Sequence, residues 1–383
     1  VILAQLGDVL GLPGLNANTY GDVDTKSWAA YADFSYNVSD TVSLSLGGRY
    51  TVDERTSRVL RTTYLGGASP DLGGTGTPLA VTSDFLGSRE FTEFTPRVSV
   101  NWTPNDDQNL YGTYSEGFKG GSFDPRGYTT AAPDIDGDGI VSDEEIFEFM
   151  AFDPEFVDSY ELGVKSNWMD GRVKTSVAVF FADYTDVQIP GSFGFDSDGD
   201  GINETFIGVT TNAADADMIG IEFEGSAQLS DAFSLGWAIG YLDAEFNEYI
   251  DETGNNVADE RVFQNTPDLT ASGTLTYQTA VDLFGNDGTF FVIGSASYRS
   301  KASQFEFPTV ELDQPSFTLF DLSLVWEDED GHWRAGLHGK NLADEEYKVA
   351  GYYYPAPALG LEGSVTAFYG NPRTITATVE YRF

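Results

Sequence analysis

The sequence predicts an all-β chain, an antiparallel transmembrane β-barrel meander of about thirteen strands. Three observations carry this. Apolar and polar residues alternate with a period of two in run after run, which puts one set on each face of a strand. The connections alternate between short and long, as in outer-membrane barrels with short periplasmic turns and long extracellular loops. Many runs reach about ten residues, above the roughly 5–6 of globular strands and right for a tilted membrane span.

The pattern begins near Ser27. The run 28–38 turns through Ser39-Asp40 into 41–56, where Val42, Leu44, Leu46, Gly48 and Tyr50 alternate with Thr41, Ser43, Ser45, Gly47 and Arg49. A long connection, 57–92, precedes 93–103, with Val98, Val100 and Trp102 against Arg97, Ser99 and Asn101. Asn105-Asp106-Asp107 turns the chain into 108–117, and 118–157 is again long. In 158–168, Tyr160, Leu162 and Val164 oppose Glu161, Gly163 and Lys165; Asp170-Gly171 leads into 172–188. After 189–204 comes 205–227, with Ile219, Ile221 and Phe223 against Gly220, Glu222 and Glu224. Ser230-Asp231 joins it to 232–247, and the long connection 248–267 leads to 268–280. Gly285 to Gly288 turns into 289–300, whose Phe290-Phe291-Val292-Ile293 is apolar on both faces. Beyond 301–315 lie 316–327, the turn Asp328 to Gly331, and 332–342. The connection 343–372 precedes the last run, 373–383, in which Ile375, Ala377, Val379, Tyr381 and Phe383 alternate with Thr374, Thr376, Thr378, Glu380 and Arg382. Asx side chains close on the backbone and Gly accepts positive φ, so the short connections have turn chemistry. Trp102, Trp168, Trp326, Trp333, Tyr381 and Phe383 stand near run ends, where amphipathic rings suit a membrane interface. The alternation alone does not say whether the polar face points outward, as in a soluble barrel, or into a lumen.

Composition narrows the function. Lys plus Arg number 20 and Asp plus Glu 61, so the formal charge is 20 − 61 = −41, which excludes a nucleic-acid partner and a polybasic contact with anionic lipid. Hydrophobic residues at 41% and aromatics at 14% are more than a charge-extended coil carries. With no Cys, disulfides, thiolate zinc sites and Cys nucleophiles are all removed. His332 and His338 are the two histidines and share one short segment, where they read as polar strand residues. No apolar window of about 18 residues is present, so no transmembrane helix is expected. No G-x-S-x-G, Walker loop or H-E-x-x-H occurs, and the chain is not expected to be an enzyme. Glu222 and Glu224, at i and i+2 on one strand face, read as polar lumen wall.

Several stretches carry a family resemblance. The terminal Tyr381-Arg382-Phe383 resembles the signal by which outer-membrane barrels reach the barrel assembly machinery, with Tyr381 and Phe383 as its aromatic positions. Leu110-Tyr111-Gly112-Thr113-Tyr114-Ser115-Glu116-Gly117-Phe118-Lys119-Gly120-Gly121, Tyr160-Glu161-Leu162-Gly163-Val164-Lys165, Lys340-Asn341-Leu342-Ala343-Asp344-Glu345-Glu346-Tyr347 and Asn265-Thr266-Pro267 resemble stretches of TonB-dependent receptors of Gram-negative bacteria. The resemblance implies a 22-stranded barrel in outer-membrane lipid, holding an N-terminal plug domain through which TonB acts. It also implies import of a scarce bulky solute, most often a ferric siderophore. Against that pattern the chain shows about thirteen strands and no plug-like stretch, and an odd antiparallel meander cannot close on itself. Residues 27–383 are therefore expected to be the C-terminal portion of such a barrel, and 1–26 the remnant of an extracellular loop. The alternatives are a passive porin-like channel and a calcium-dependent surface barrel that binds glycans or acts as an adhesin.

The sharpest local motif fits a twelve-residue calcium loop. Asp134, Asp136 and Asp138 fall at positions 1, 3 and 5, Gly139 at 6, the Ile140 carbonyl at 7, Ser142 at 9 and Glu145 at 12. Hard oxygens at that spacing converge on one cation, and Glu144 to Met150 could form a short exiting helix. A second run repeats Asp196, Asp198 and Asp200, with Ile202 and Glu204 as further ligands, but has Ile207 at the last position. Calcium is expected to play a structural role in these extracellular loops. For a small-molecule or glycan ligand, the candidate contacts are Phe118, Lys119, Phe123 and Arg126, which open the 118–157 connection, together with Tyr352, Tyr353 and Tyr354.

Overall fold

The computed structural model describes residues 14–195, 205–251, 254–283, 285–354 and 364–383. Their strands are β1 (Leu15–Asn37), β2 (Val42–Leu65), β3 (Thr77–Asn105), β4 (Gln108–Lys119), β5 (Ser122–Phe123), β6 (Ala151–Phe152), β7 (Glu155–Trp168), β8 (Val173–Phe195) and β9 (Thr205–Gln228). There follow β10 (Phe233–Tyr249), β11 (Leu269–Leu283), β12 (Asn286–Arg299), β13 (Phe317–Asp328), β14 (Trp333–Lys340), β15 (Lys348–Tyr354), β16 (Ser364–Tyr369) and β17 (Thr374–Tyr381). One α-helix, α1 (Asp143–Met150), occurs among the described residues.

Thirteen strands form one sheet in the order β1-β2-β3-β4-β7-β8-β9-β10-β11-β12-β13-β14-β17. Each strand pairs antiparallel with its neighbour in that order, so the sheet is the expected meander. The pairs β5–β6 and β15–β16 stand apart from it as small two-stranded sheets. The tight connections fall where the turn residues placed them. Backbone positive φ at Met169, Asp170, Gly171, Gly285 and Gly331 shows the turn geometry that Gly and Asp tolerate.

The register resolves the ambiguity of the faces. Leu46 opposes Val98, Val98 opposes Tyr114, Tyr114 opposes Tyr160, Tyr160 opposes Phe181, and Phe181 opposes Ile219. In this row Leu46, Val98, Tyr160, Phe181 and Ile219 are all exposed. On the other face Thr113 donates to the Ser99 hydroxyl at 3.2 Å, and the Tyr111 hydroxyl to Glu161 at 2.5 Å. An apolar face open to the surroundings and a hydrogen-bonded polar face are what lipid outside and a polar lumen require.

Several boundaries differ from the sequence expectation: β8 runs on to Phe195, into the 189–204 connection, and β15 and β16 lie within 343–372. Residues 15–26, expected as loop remnant, continue β1, each paired with β2 from Leu65 to Glu54. The connection 57–92 is mostly strand, because β2 and β3 stay paired out to Leu65 and Thr77. A tilted span needs about 9–11 residues, so the 24 residues of β2 and 29 of β3 carry this hairpin well past the bilayer. Outside lipid neither face must be apolar, so the alternation fades while the ladder continues.

Candidate functional site

The buried side chains concentrate on the extracellular side, where the segment between β4 and β7 folds over the projecting β2–β3 hairpin. Val59, Phe85, Phe123 and Met150 form a buried cluster, with Ile146, Phe147, Phe149 and Ala151 packed against it. Phe123 meets Phe85 at 5.0 Å and Phe147 edge-on at 5.1 Å between ring centroids, the offset arrangements that aromatic quadrupoles favour. α1 begins at a capping box: Ser142 accepts from the Glu145 backbone, and the Glu145 carboxylate accepts from the Ser142 N–H. Gly121 is needed for the close approach, since a Cβ there would collide with the Phe152 carbonyl oxygen.

Buried polar side chains fasten this cap to the hairpin β8–β9. Asp124 is 3% exposed and accepts from the Arg126 N–H at 2.8 Å, its guanidinium at 3.0 and 2.6 Å, and the Thr210 hydroxyl at 2.8 Å. The hydrogen bond with Asp124 raises the Arg126 pKa against the opposing effect of burial. The Gln188 amide donates to the carbonyls of Lys119, Gly120 and Asp153 at 3.1, 3.2 and 2.9 Å. Asn212 donates to the Asp153 and Asp186 carbonyls and accepts from the Asp153 N–H at 2.7 Å. On the β2–β3 side, Arg89 pairs with Asp153 at 2.5 Å, and the Arg61 guanidinium sits 4.3 Å over the Tyr128 ring.

This arrangement revises the ligand contacts read from the sequence. Phe123 is 2% exposed and belongs to the cap core, because Phe85, Phe147 and Met150 enclose it. Arg126 is held by Asp124 rather than free for an anion. Phe118 lies across the β4–β7 ladder from Phe156, with ring centroids 6.5 Å apart, and Lys119 pairs with Glu155 at 3.8 Å. Tyr352 and Tyr353 lie in the separate β15–β16 hairpin; Tyr352 is exposed and meets Phe368 edge-on, and Tyr354 closes β15. The cap and this hairpin are two different structures on the extracellular side. Gln188, Thr210 and Asn212 were not singled out from the sequence. Their only signal is a polar residue in an otherwise strand-like stretch.

The calcium-type loop is formed in part. Asp134, Asp136 and Asp138 each offer an oxygen within 4.8 Å of the others. Gly137 and Gly139 adopt positive φ, as the sharp turn needs. Ile140 and Ser142 follow in the loop, with the Ile140 N–H on Asp138 at 2.8 Å. Glu145 is turned to the backbone instead, accepting from Ile135 at 2.6 Å and from Ser142 at 2.7 Å. The backbone hydrogen bonds from Ser142 and Ile135 bring its pKa down to about 2. The second acidic run, with Asp196, Asp198, Asp200, Ile202 and Glu204, lies outside the described residues. At the terminus, Tyr381 ends β17 against Trp333 at 4.6 Å, and Phe383 lies beyond the strand, fully exposed.

A second extracellular region is built over β9–β13. The Val262 N–H reaches the Glu306 carbonyl at 3.0 Å and Asn265 the Ser303 carbonyl at 2.9 Å, tying the β10–β11 connection to the β12–β13 connection. The Arg261 guanidinium lies 3.6 Å over the Phe307 ring, and the Tyr249 hydroxyl donates to Glu306 at 3.3 Å. Burial pushes the Glu306 carboxyl up, with Arg261 and Tyr249 opposing. Beneath lies a cavity of about 660 Å³ lined by the polar faces of β9 to β13, by Gln304 and Gln314, and by Tyr347 to Val349.

Comparison with known proteins places these features. A family model described as "TonB dependent receptor-like, beta-barrel" matches residues 5–342. The ferric-pyoverdine M114 receptor PbuA of Pseudomonas sp. (strain M114) is 23% identical over 96% of this chain and 38% of its own length. The metal-pseudopaline receptor CntO of Pseudomonas aeruginosa is 26% identical over 76% of this chain and 33% of its own. Among solved structures, the ferric yersiniabactin uptake receptor FyuA of Yersinia pestis superposes with a TM-score of 0.67 at 18% identity, covering 96% of this chain and 47% of that one. The chain thus spans less than half the length of the relatives it matches.

Proposed function

This chain belongs to the TonB-dependent receptor family, and from that premise we propose that it forms the lumen wall and extracellular rim of an outer-membrane receptor importing a scarce, bulky metal complex. A ferric siderophore is the leading substrate class. The observation that carries this is the match over 96% of the chain to a receptor named for ferric-pyoverdine and over 76% to one named for metal-pseudopaline. In this reading TonB acts through a plug inside the barrel, and the lipid-facing row is the membrane contact. The alternating β17 with Tyr381 and Phe383 presents the barrel to its assembly machinery. Uptake of 55Fe-labelled siderophores by cells carrying the full-length receptor tests it. Saturable uptake lost on deleting TonB is expected; unsaturable, TonB-independent flux would instead make the barrel a passive channel.

Calcium is the second part of the proposal. Asp134, Asp136 and Asp138 would supply carboxylate oxygens, with the Ile140 carbonyl and Ser142 completing the set, and the converging carboxylates support this. Glu145 would join only by giving up its present contacts with Ile135 and Ser142. The ion would offset crowded negative charge and pin the loop that feeds α1. Calorimetric titration of the chelator-treated receptor with calcium, repeated on Asp136→Asn/Asp138→Asn, is the test. Equal heats in both would discard it.

A further inference from the structure

We infer that the stretch Asn341 to Tyr347 is a register clasp, which fixes the residues of β17 that lie opposite β14. The inference does not depend on the substrate. Every other strand of the main sheet is joined to a described neighbour by a tight turn, as between Asn37 and Val42, Asn105 and Gln108, or Asp328 and Trp333. β17 is joined to β14 only through the long connection that follows Lys340, so no tight turn sets its register. Its own pattern leaves that register open. Thr374, Thr376 and Thr378 alternate with Ile375, Ala377 and Val379. A slip of two residues therefore exchanges Thr for Thr and one apolar residue for another, and only an odd slip turns side chains onto the wrong face. The choice among even registers has to come from outside the alternation.

The residues that leave β14 and enter β17 supply it. Asn341 follows β14 directly and is buried. Its N–H donates to Asp321 of β13 at 2.8 Å. Its carboxamide donates to the Glu345 and Asn371 carbonyls at 2.8 and 3.2 Å and accepts from the Glu345 N–H at 2.8 Å. Arg373, the last residue before β17, donates to Asp344 from its backbone at 3.0 Å and from its guanidinium at 3.3 Å. The same guanidinium donates to the Leu342 carbonyl at 3.2 Å. Asn341 and Asp344 hold positive φ, of 49° and 57°, which Asn and Asp tolerate better than other side chains. Farther out, the Gly370 N–H donates to the Tyr347 carbonyl at 2.8 Å, and the Tyr347 ring stacks on Phe317 of β13 at 4.6 Å. The hairpin β15–β16 thus rises from a base tied to β13, and the entry of β17 is pinned with Thr374 opposite Lys340. A slip of two residues would carry Asn371 and Arg373 about 7 Å along the strand and break these bonds together. The half-exposed Arg373–Asp344 pair alone is worth little. The Asn341 carboxamide is buried, and unpairing it is what makes the slip costly.

The test reads the register by disulfide crosslinking of the full-length receptor in outer membranes. This chain has no Cys, so an introduced pair supplies its only thiols. Leu337→Cys/Ala377→Cys joins directly opposed positions. Leu337→Cys/Ile375→Cys and Leu337→Cys/Val379→Cys report slips of two residues in either direction, since diagonal neighbours lie too far apart to bridge without one. With the clasp intact only the first pair should crosslink. Inserting Thr-Val between Arg373 and Thr374 keeps the clasp whole and lengthens the strand it feeds. The crosslink to Leu337→Cys should then move from Ala377→Cys to Ile375→Cys. In Asn341→Ala/Asp344→Ala a slipped crosslink should appear beside the native one. Heat-modifiable gel mobility shows which variants have assembled, and the insertion gives its answer even where Asn341→Ala/Asp344→Ala does not assemble. A crosslink that stays at Ala377→Cys in the insertion variant would overturn the inference and assign the register to the strands themselves, through contacts such as Trp333 on Tyr381. Failure of the insertion variant to assemble would overturn it as well, because a strand with an open even register accommodates two more residues.

Discussion

Above β2, β3, β8 and β9, the 118–157 segment closes around Phe123 and Met150, whereas above β9–β13 the 301–315 connection spans a cavity of about 660 Å³. Both regions fasten long connections to a strand wall with buried polar side chains. In the first, Asp124, Gln188 and Asn212 have their hydrogen bonds filled by the protein itself. In the second, the Gln304 carboxamide oxygen has no hydrogen-bond partner. The difference is one of packing: the first region closes on an aromatic core, and the second arches over open space.

The largest effect expected from this contrast is on the cap core. Phe123→Ala should cost the cap about 3–5 kcal/mol, the range for a buried Phe truncated to Ala. Hydrogen exchange should then accelerate across 118–157 and not across 301–315; uniform acceleration would mean the two regions are one cooperative unit. Next, Asp124→Ala leaves Arg126 and Thr210 without their acceptor and should cost about 1–3 kcal/mol. Limited proteolysis near Arg126 reports it, and an unchanged cleavage rate would show that the Asp124 contacts add nothing. Gln304→Leu should go the other way, neutral or stabilising by up to about 1 kcal/mol, because it removes an unpaired acceptor. Faster exchange at 301–315 in that variant would mean Gln304 holds the roof, and the contrast between the regions would fail.

The smallest effect concerns pH at the start of α1. The folded-state pKa of Glu145 is about 2, below its ordinary value of 4.5. A depressed carboxyl stabilises fully above the unfolded value and loses that contribution as pH falls through the folded one. Pepsin should therefore cut at Phe147 and Phe149 in the chelator-treated receptor only near pH 2. In Glu145→Gln it should cut throughout the acid range; identical pH profiles would show that the capping box does not govern the helix.

Much of the wall was legible because lipid imposes the alternation. All thirteen strands of the main sheet overlap runs found by period two, and even Phe290 to Ile293, apolar on both faces, proved to be strand β12. Where lipid ends, the rule ends. Ser57 to Thr63 and Arg89 to Thr92 carry polar residues on both faces, so they read as loop although they stay paired across the β2–β3 ladder, with a register shift after Arg61. In the candidate site, the spacing of Asp134, Asp136 and Asp138 anticipated their convergence, since three near neighbours on a tight turn have little choice. Glu145 was placed on the ion by that spacing but caps α1 here, because backbone N–H groups compete for the same carboxylate. Phe123 looked like a rim aromatic because nothing in a loop sequence says which ring will be covered.

By itself the sequence determined the fold class, the strand count of the main sheet and the order of turns, and the resemblance of stretches such as Leu110 to Gly121 pointed to the family. The first three follow from local periodicity and turn chemistry, in which each residue is judged against neighbours one or two places away. Only the tertiary structure decided which face meets lipid, that Phe123 and Asp124 are buried, and that Glu222 and Arg299 line one cavity. Each of those depends on residues far apart in the chain, brought level by strand register and by loops folding back onto strands, and no local pattern encodes that distance.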